Sequence, residues 1–212
     1  MKSILAVVLA AVSSLAAVAA PEPRKPPAAG EKTLPLQLSL VNPLATINET
    51  DSVSGFRFGL IFGENRNVSG LDIGLAGRAT GSARGLQFGG VNVVEGDLSG
   101  IQGGAINWVG GKAMGLELGL INLVKGDVLG AQAGFLSVAM AGVSGQCGVA
   151  NYAGRMDGLQ VGLINVAESV SGMQFGLVNY TGQFLGLQVG ILNIATGKAG
   201  LWKVLPMVNA NW

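Results

Sequence analysis

The sequence predicts an all-β repeat protein, and three observations carry the prediction. One motif returns at a short, nearly fixed period through residues 34–212. Within it, apolar residues alternate with polar or very small ones, and the apolar places hold Val, Ile, Leu and Phe. Period-two alternation of β-favouring residues marks a pleated strand, and self-similarity at such a period marks a stack of identical units.

The units begin at Gly55, Gly70, Gly85, Gly100, Gly115, Gly130, Gly145, Gly158, Gly172 and Gly186, spaced by 15 residues six times, then 13, then 14 twice. "PLQLSLVN" from Pro35 fits the same template with Pro for the leading Gly, and "VLPMVN" near the end fits its second half, which brings the total to twelve units. Positions are numbered here from each leading Gly. Position 3 is polar throughout: Arg57, Asp72, Gln87, Gln102, Glu117, Gln132, Gln160, Gln174 and Gln188. Position 5 is Gly in each of those units, and position 8 is Asn in most later ones: Asn92, Asn107, Asn122, Asn151, Asn165, Asn179 and Asn193. Turn-like pieces such as "EGD", "KGD" and "TGK" follow, where length varies most easily. Each unit therefore reads as one strand of about ten residues plus a short turn. The Gly145 unit lacks a residue near position 2, and a bulge is expected there.

Two segments precede the repeats. Residues 1–19 have the pattern of a signal peptide: Lys2, the apolar run "ILAVVLAAVSSLAAVA", and small Ala17 and Ala19 at a cleavage site. Residues 20–33, built around "PEPRKPPAAGEK", read as a proline-rich disordered linker before the β-repeat domain at 34–212.

A lone strand cannot bury its own face, so the units must pair with one another. The reading placed first is an antiparallel up-and-down meander closing into a β-barrel. The motif is nearly palindromic about position 4, so antiparallel neighbours set Gln at 3 opposite Gly at 5. Strands of about ten residues suit a bilayer, an even count suits a single-chain barrel, and the chain ends on an aromatic, Trp212. In that barrel the Leu-Val-Leu face meets outer-membrane lipid, the position-3 row lines a lumen, and the last strand addresses the outer-membrane assembly machinery. The alternative is a parallel β-solenoid with coils of 14–15 residues, which stacks Gln on Gln and puts the apolar face in a core. A corner would explain why positions 6 and 7 are both apolar.

The repeat "GLQVGLINVA…G", the opening "LPLQLSLVNPL…VSGFRFGLIFGENRNVSGLDIGL" and the ending "LWKVLPMVNANW" resemble the bacterial surface repeat proteins of spirochaetes and other diderm bacteria. The likeness spans residues 34–212 and implies a cell-envelope address with no assigned activity.

Little reactive chemistry is present. The 212 residues include no His and one Cys, which excludes histidine triads, Cys-His dyads and the usual zinc sites. Charged residues are 12% and the net charge is +1, so there is no basic field to draw nucleic acid and no acidic field either. No cofactor or small-molecule ligand is identifiable. Glu95, Asp97, Asp127 and Glu168 fall in turns as solvated charges, and Asp72 and Glu117 could form an acid pair only if closure brought their strands together. The expected function is a non-enzymatic envelope protein: an outer-membrane barrel with a structural or pore role, or an exported β-solenoid acting as adhesin, spacer or assembly module.

Overall fold

The computed structural model describes residues 32–41, 44–45 and 50–212, so the signal-peptide reading and nearly all of the linker lie outside the described residues. The strands are β1 (Thr33–Val41), β2 (Leu44–Ala45), β3 (Ser52–Asn65), β4 (Val68–Ala79), β5 (Ala83–Val94), β6 (Leu98–Val109), β7 (Ala113–Val124), β8 (Val128–Phe175), β9 (Val178–Ala195) and β10 (Val204–Asn211). They form one sheet in the order β10-β9-β8-β7-β6-β5-β4-β3-β1-β2. β1 and β3 to β9 run parallel, each to the next in that order, while the two-residue β2 pairs antiparallel with β1 at the edge. The chain is a β-solenoid, each unit one coil.

This overturns the barrel. An up-and-down barrel needs antiparallel neighbours joined by hairpins, whereas here Gly85 pairs with Gly100, Gln87 with Gln102 and Asn92 with Asn107. Identical positions stack on themselves, so there is no lumen for the position-3 row to line. The twelfth unit is also corrected: β10 runs antiparallel to β9, with Asn209 opposite Gln188, and caps the stack.

Glycine fixes this geometry. Nine of the leading glycines have φ between 111° and 146°. At Gly115, φ is 130° and an added Cβ would overlap the Gly100 carbonyl oxygen. Such a φ excludes ordinary side chains, and the close approach lets the coils stack. Gly145 is not at that place: an added Cβ at Gly158 would meet the Ser144 carbonyl oxygen, and Gly145 lies against Ala131, so Ser144 leads this coil, without a positive φ, and Gly145 stands at position 2. The residue that seemed to be missing is therefore Ser144, which leads a coil of the same 14-residue length as those after it, and the ground for a bulge falls away.

The pairing skips position 6 between Gly74 and Ala76, and between Gly119 and Ile121, so the chain turns a corner there. Positions −1 and 10 form the apolar core, including Val68, Ala79, Val94, Leu98, Val109, Val124, Val128 and Met156. Burying each larger aliphatic stabilises the stack by about 1.5–3 kcal/mol. A second cluster joins the position-9 side chains Trp108, Leu123, Val138, Tyr152 and Val166, with Tyr180 packed against it.

The apolar face at positions 2, 4 and 6 meets no core. It points outward along the stack, with Leu75, Leu120 and Ile191 between 61% and 70% exposed. The binary pattern is inverted relative to an ordinary solenoid, with amides inside and Leu outside. Among the described residues no helix is long and apolar enough to cross a membrane.

Candidate functional site

The internal polar rows were the candidate site, and the structure buries them. Gln102, Gln132, Gln160, Gln174 and Gln188 are fully buried, Gln87 nearly so, and Gln146 joins them. The Gln146 coil is led by Ser144 rather than by a Gly, so counting from Gly145 passes over Gln146. Each amide donates to the carbonyl of the preceding coil: Gln102 to Gln87 at 2.7 Å, Gln146 to Gln132 at 2.9 Å, Gln160 to Gln146 at 2.7 Å, Gln174 to Gln160 at 2.6 Å and Gln188 to Gln174 at 2.7 Å. Stacked amides satisfy one another where water is absent, which removes the cost of burying them.

The ladder ends at two different caps. At the C-terminal end Asn209 of β10 donates Nδ2 to Gln188 Oε1 at 3.1 Å. Toward the N-terminus Gln87 donates to Asp72 at 2.8 Å, and Arg57 binds both Asp72 oxygens, at 2.7 and 2.5 Å. Arg57 also donates to Asn65 Oδ1 and the Arg78 carbonyl. A buried guanidinium requires this many acceptors. It needs room as well: an added Cβ at Gly77, the position-8 residue of its coil, would sit 2.8 Å from the Arg57 guanidinium.

The Asn row is a second ladder of opposite sense. Nδ2 donates forward to the next Asn from Asn92, Asn107, Asn151, Asn165 and Asn179, at 2.8–2.9 Å. The same nitrogen reaches a backbone carbonyl at position 4 of the next coil, as Asn107 does to Leu118 at 2.9 Å. Gly at position 5 makes this possible: a Cβ at Gly119 would press on the amides of Asn107 and Asn122. The row breaks at Ser137, where Asn122 donates only to the Ala133 carbonyl.

Glu117 is the irregular rung. Gln132 donates to its Oε2 at 2.8 Å, while Glu117 Oε1 and Gln102 Oε1 are both buried without a partner. Gln102 and Glu117 are register partners. Burial pushes the Glu117 carboxyl up to about 7, against the Gln132 hydrogen bond that lowers it. Asp72 and Glu117 do not form an acid pair, because the Gln87 and Gln102 rungs lie between them.

The turn carboxylates divide. Asp97 and Asp127 accept the backbone N–H of Lys112 and Gly142 in the next coil, at 2.8 and 2.9 Å. Glu95 is buried against Arg78 rather than solvated. Glu168 accepts the Tyr152 hydroxyl at 3.0 Å, and burial with this carboxylate pushes the phenol up to about 12.

The interior is thus a structural staple, and the outward face is apolar. Every position 2, 4 and 6 from Leu71 to Ile191 is apolar or Gly, with Gly145, Cys147 and Val149 at these places in the coil that Ser144 leads. Compared with known proteins, the chain matches no family, no curated protein and no solved structure.

Proposed function

We propose that this chain is an exported, non-enzymatic β-solenoid of a bacterial cell envelope, serving as a rigid assembly module or spacer. The observation that carries the reading is the unbroken, charge-free apolar face along a rod of stacked coils, which presents a broad docking surface on a rigid frame. Export rests on the signal-peptide pattern of residues 1–19, and the envelope address on the resemblance to surface repeat proteins. The non-enzymatic reading rests on the interior amides, which spend their hydrogen bonds on one another.

Expression in a diderm host followed by fractionation and N-terminal sequencing tests this. The expected result is a chain cleaved after Ala19 and recovered with the envelope or cell surface. An uncleaved chain held in the cytoplasm overturns the reading.

A further inference from the structure

Among the coils from Gly85 to Gly186 the Asn row is interrupted at Ser137. Ser137 and Asn151, its successor in the row, are 0% and 2% exposed. Ser137 Oγ and Asn151 Oδ1 are both buried, and neither makes a hydrogen bond. Buried polar atoms without partners are costly, and two in one rung mark a place that binds something further. We propose that this rung is a binding site for one water, which takes the place that an Asn Nδ2 takes in the other rungs.

Room is the first argument. At Gly104, Gly119, Gly134, Gly162, Gly176 and Gly190 an added Cβ would lie 2.5–2.8 Å from the Nδ2 of the preceding coil's Asn. At Gly148, one coil beyond Ser137, the nearest side-chain atom to such a Cβ is Asn151 Oδ1 at 3.2 Å. The Ser137 hydroxyl therefore does not reach the place beside Gly148 that an amide nitrogen holds elsewhere. A hydroxyl stands there for a whole carboxamide, and the difference is roughly the ~30 Å³ that one water takes in the liquid.

Hydrogen-bond chemistry is the second. In a regular rung Nδ2 serves two acceptors, the next Asn Oδ1 and the carbonyl at position 4 of the next coil. Asn151 does so to Asn165 at 2.9 Å and to Val161 at 3.0 Å. The same two acceptors follow Ser137: Asn151 Oδ1, and the carbonyl of Cys147 at position 4 of the coil that Ser144 leads. A water carries the two hydrogens these acceptors need and keeps a lone pair for the Ser137 hydroxyl. Its bonds then number about three, as is usual for a buried water. Asn122 keeps its bond to the Ala133 carbonyl at 3.0 Å, so the water joins Ser137 to Asn151 rather than spanning the whole gap. All three partners are neutral, so nothing in the rung offsets the charge of a cation such as ammonium, and water is the ligand that fits.

High-resolution crystal structures of the native chain and of Ser137→Asn test the site. The native chain should show a water within hydrogen-bond distance of Ser137 Oγ and Asn151 Oδ1. Ser137→Asn should lose that water and set its new Nδ2 in the same place, against Asn151 Oδ1 and the Cys147 carbonyl. In solution, magnetisation transfer from a long-lived water to the Asn151 side-chain amide should be seen for the native chain and lost in Ser137→Asn, with circular dichroism unchanged. Ser137→Ala keeps the room but removes the hydroxyl, so its urea midpoint should fall, whereas Ser137→Asn should hold or raise it. A direct hydrogen bond from Ser137 Oγ to Asn151 Oδ1, with no water between them, overturns the site. So does a water signal that survives in Ser137→Asn. A urea midpoint for Ser137→Asn below that of Ser137→Ala overturns it too, since the place would then be too small for the nitrogen.

Discussion

At the scale of the residue, Glu117 shows what a buried ladder demands. Its neutral carboxyl has the one donor that the Gln102–Glu117 step lacks, since both facing oxygens are otherwise orphaned. The folded chain holds this proton up to about pH 7, whereas the ordinary value is 4.5. The stabilisation is therefore complete below about pH 4.5 and is lost as pH rises through about 7, by up to about 3 kcal/mol. Urea unfolding at pH 5 and pH 8 should show this fall for the native chain and a flat response for Glu117→Gln, whose amide restores the donor. An equal pH slope in both proteins would remove Glu117 as its source. Glycine is the other residue-scale lesson. Gly115→Ala forces a Cβ into the Gly100 carbonyl at a φ of 130° and should cost about 2–4 kcal/mol or unfold the coil. Ser144→Ala, at the same place in its coil but without a positive φ, should change stability by less than about 1 kcal/mol. Chemical denaturation of the two variants compares them directly.

At the scale of the element, each coil from Gly85 onward contributes one residue to each row, an amide except at Glu117 and Ser137, and the two ladders donate in opposite directions along the stack. Their partners differ in what sequence reveals. The period and alternation made Gln87, Gln102, Gln160 and Asn107 legible, because each recurs at a fixed offset from its Gly. Gln146 was hidden because Ser144 stands where its coil's leading Gly should be, and Asn209 by a strand that folds back against β9. No local signal announces a reversal of direction, since "VLPMVN" has the same composition as half a coil. β10 ends an edge that would otherwise leave Gln188 Oε1 unpaired. Asn209→Ala removes that donor and the acceptor for Lys198, at 2.7 Å. It should cost about 1–3 kcal/mol and raise amide exchange first in β9. Uniform exchange along the whole stack would mean that β10 is not a cap.

At the scale of the whole molecule, stability is a sum over coils and their nearest-neighbour interfaces. Removing one entire coil, residues 158–171, joins Asp157 to Gly172 with the repeat in phase. The shortened chain should keep its β circular dichroism and unfold cooperatively, with a lower denaturant slope in proportion to the lost surface. Removing half a coil sets every later Gln on the wrong face and should abolish folding. A half-coil deletion as stable as the whole-coil one would contradict the in-register stack.

The period, the strands and the identity of the repeating rows were determined by the sequence alone, because a fixed offset and a period-two alternation are local properties. Strand direction and which face lies inside were decided only by the tertiary structure. Alternation defines two faces and does not say which one is buried, and Gln can sit opposite Gly or upon Gln with equal sense. The choice falls to contacts 14 or 15 residues apart: leading glycines whose positive φ permits close stacking, and amides that find partners only in their own copies one coil away. Those contacts draw the polar row inward and leave the leucines outside.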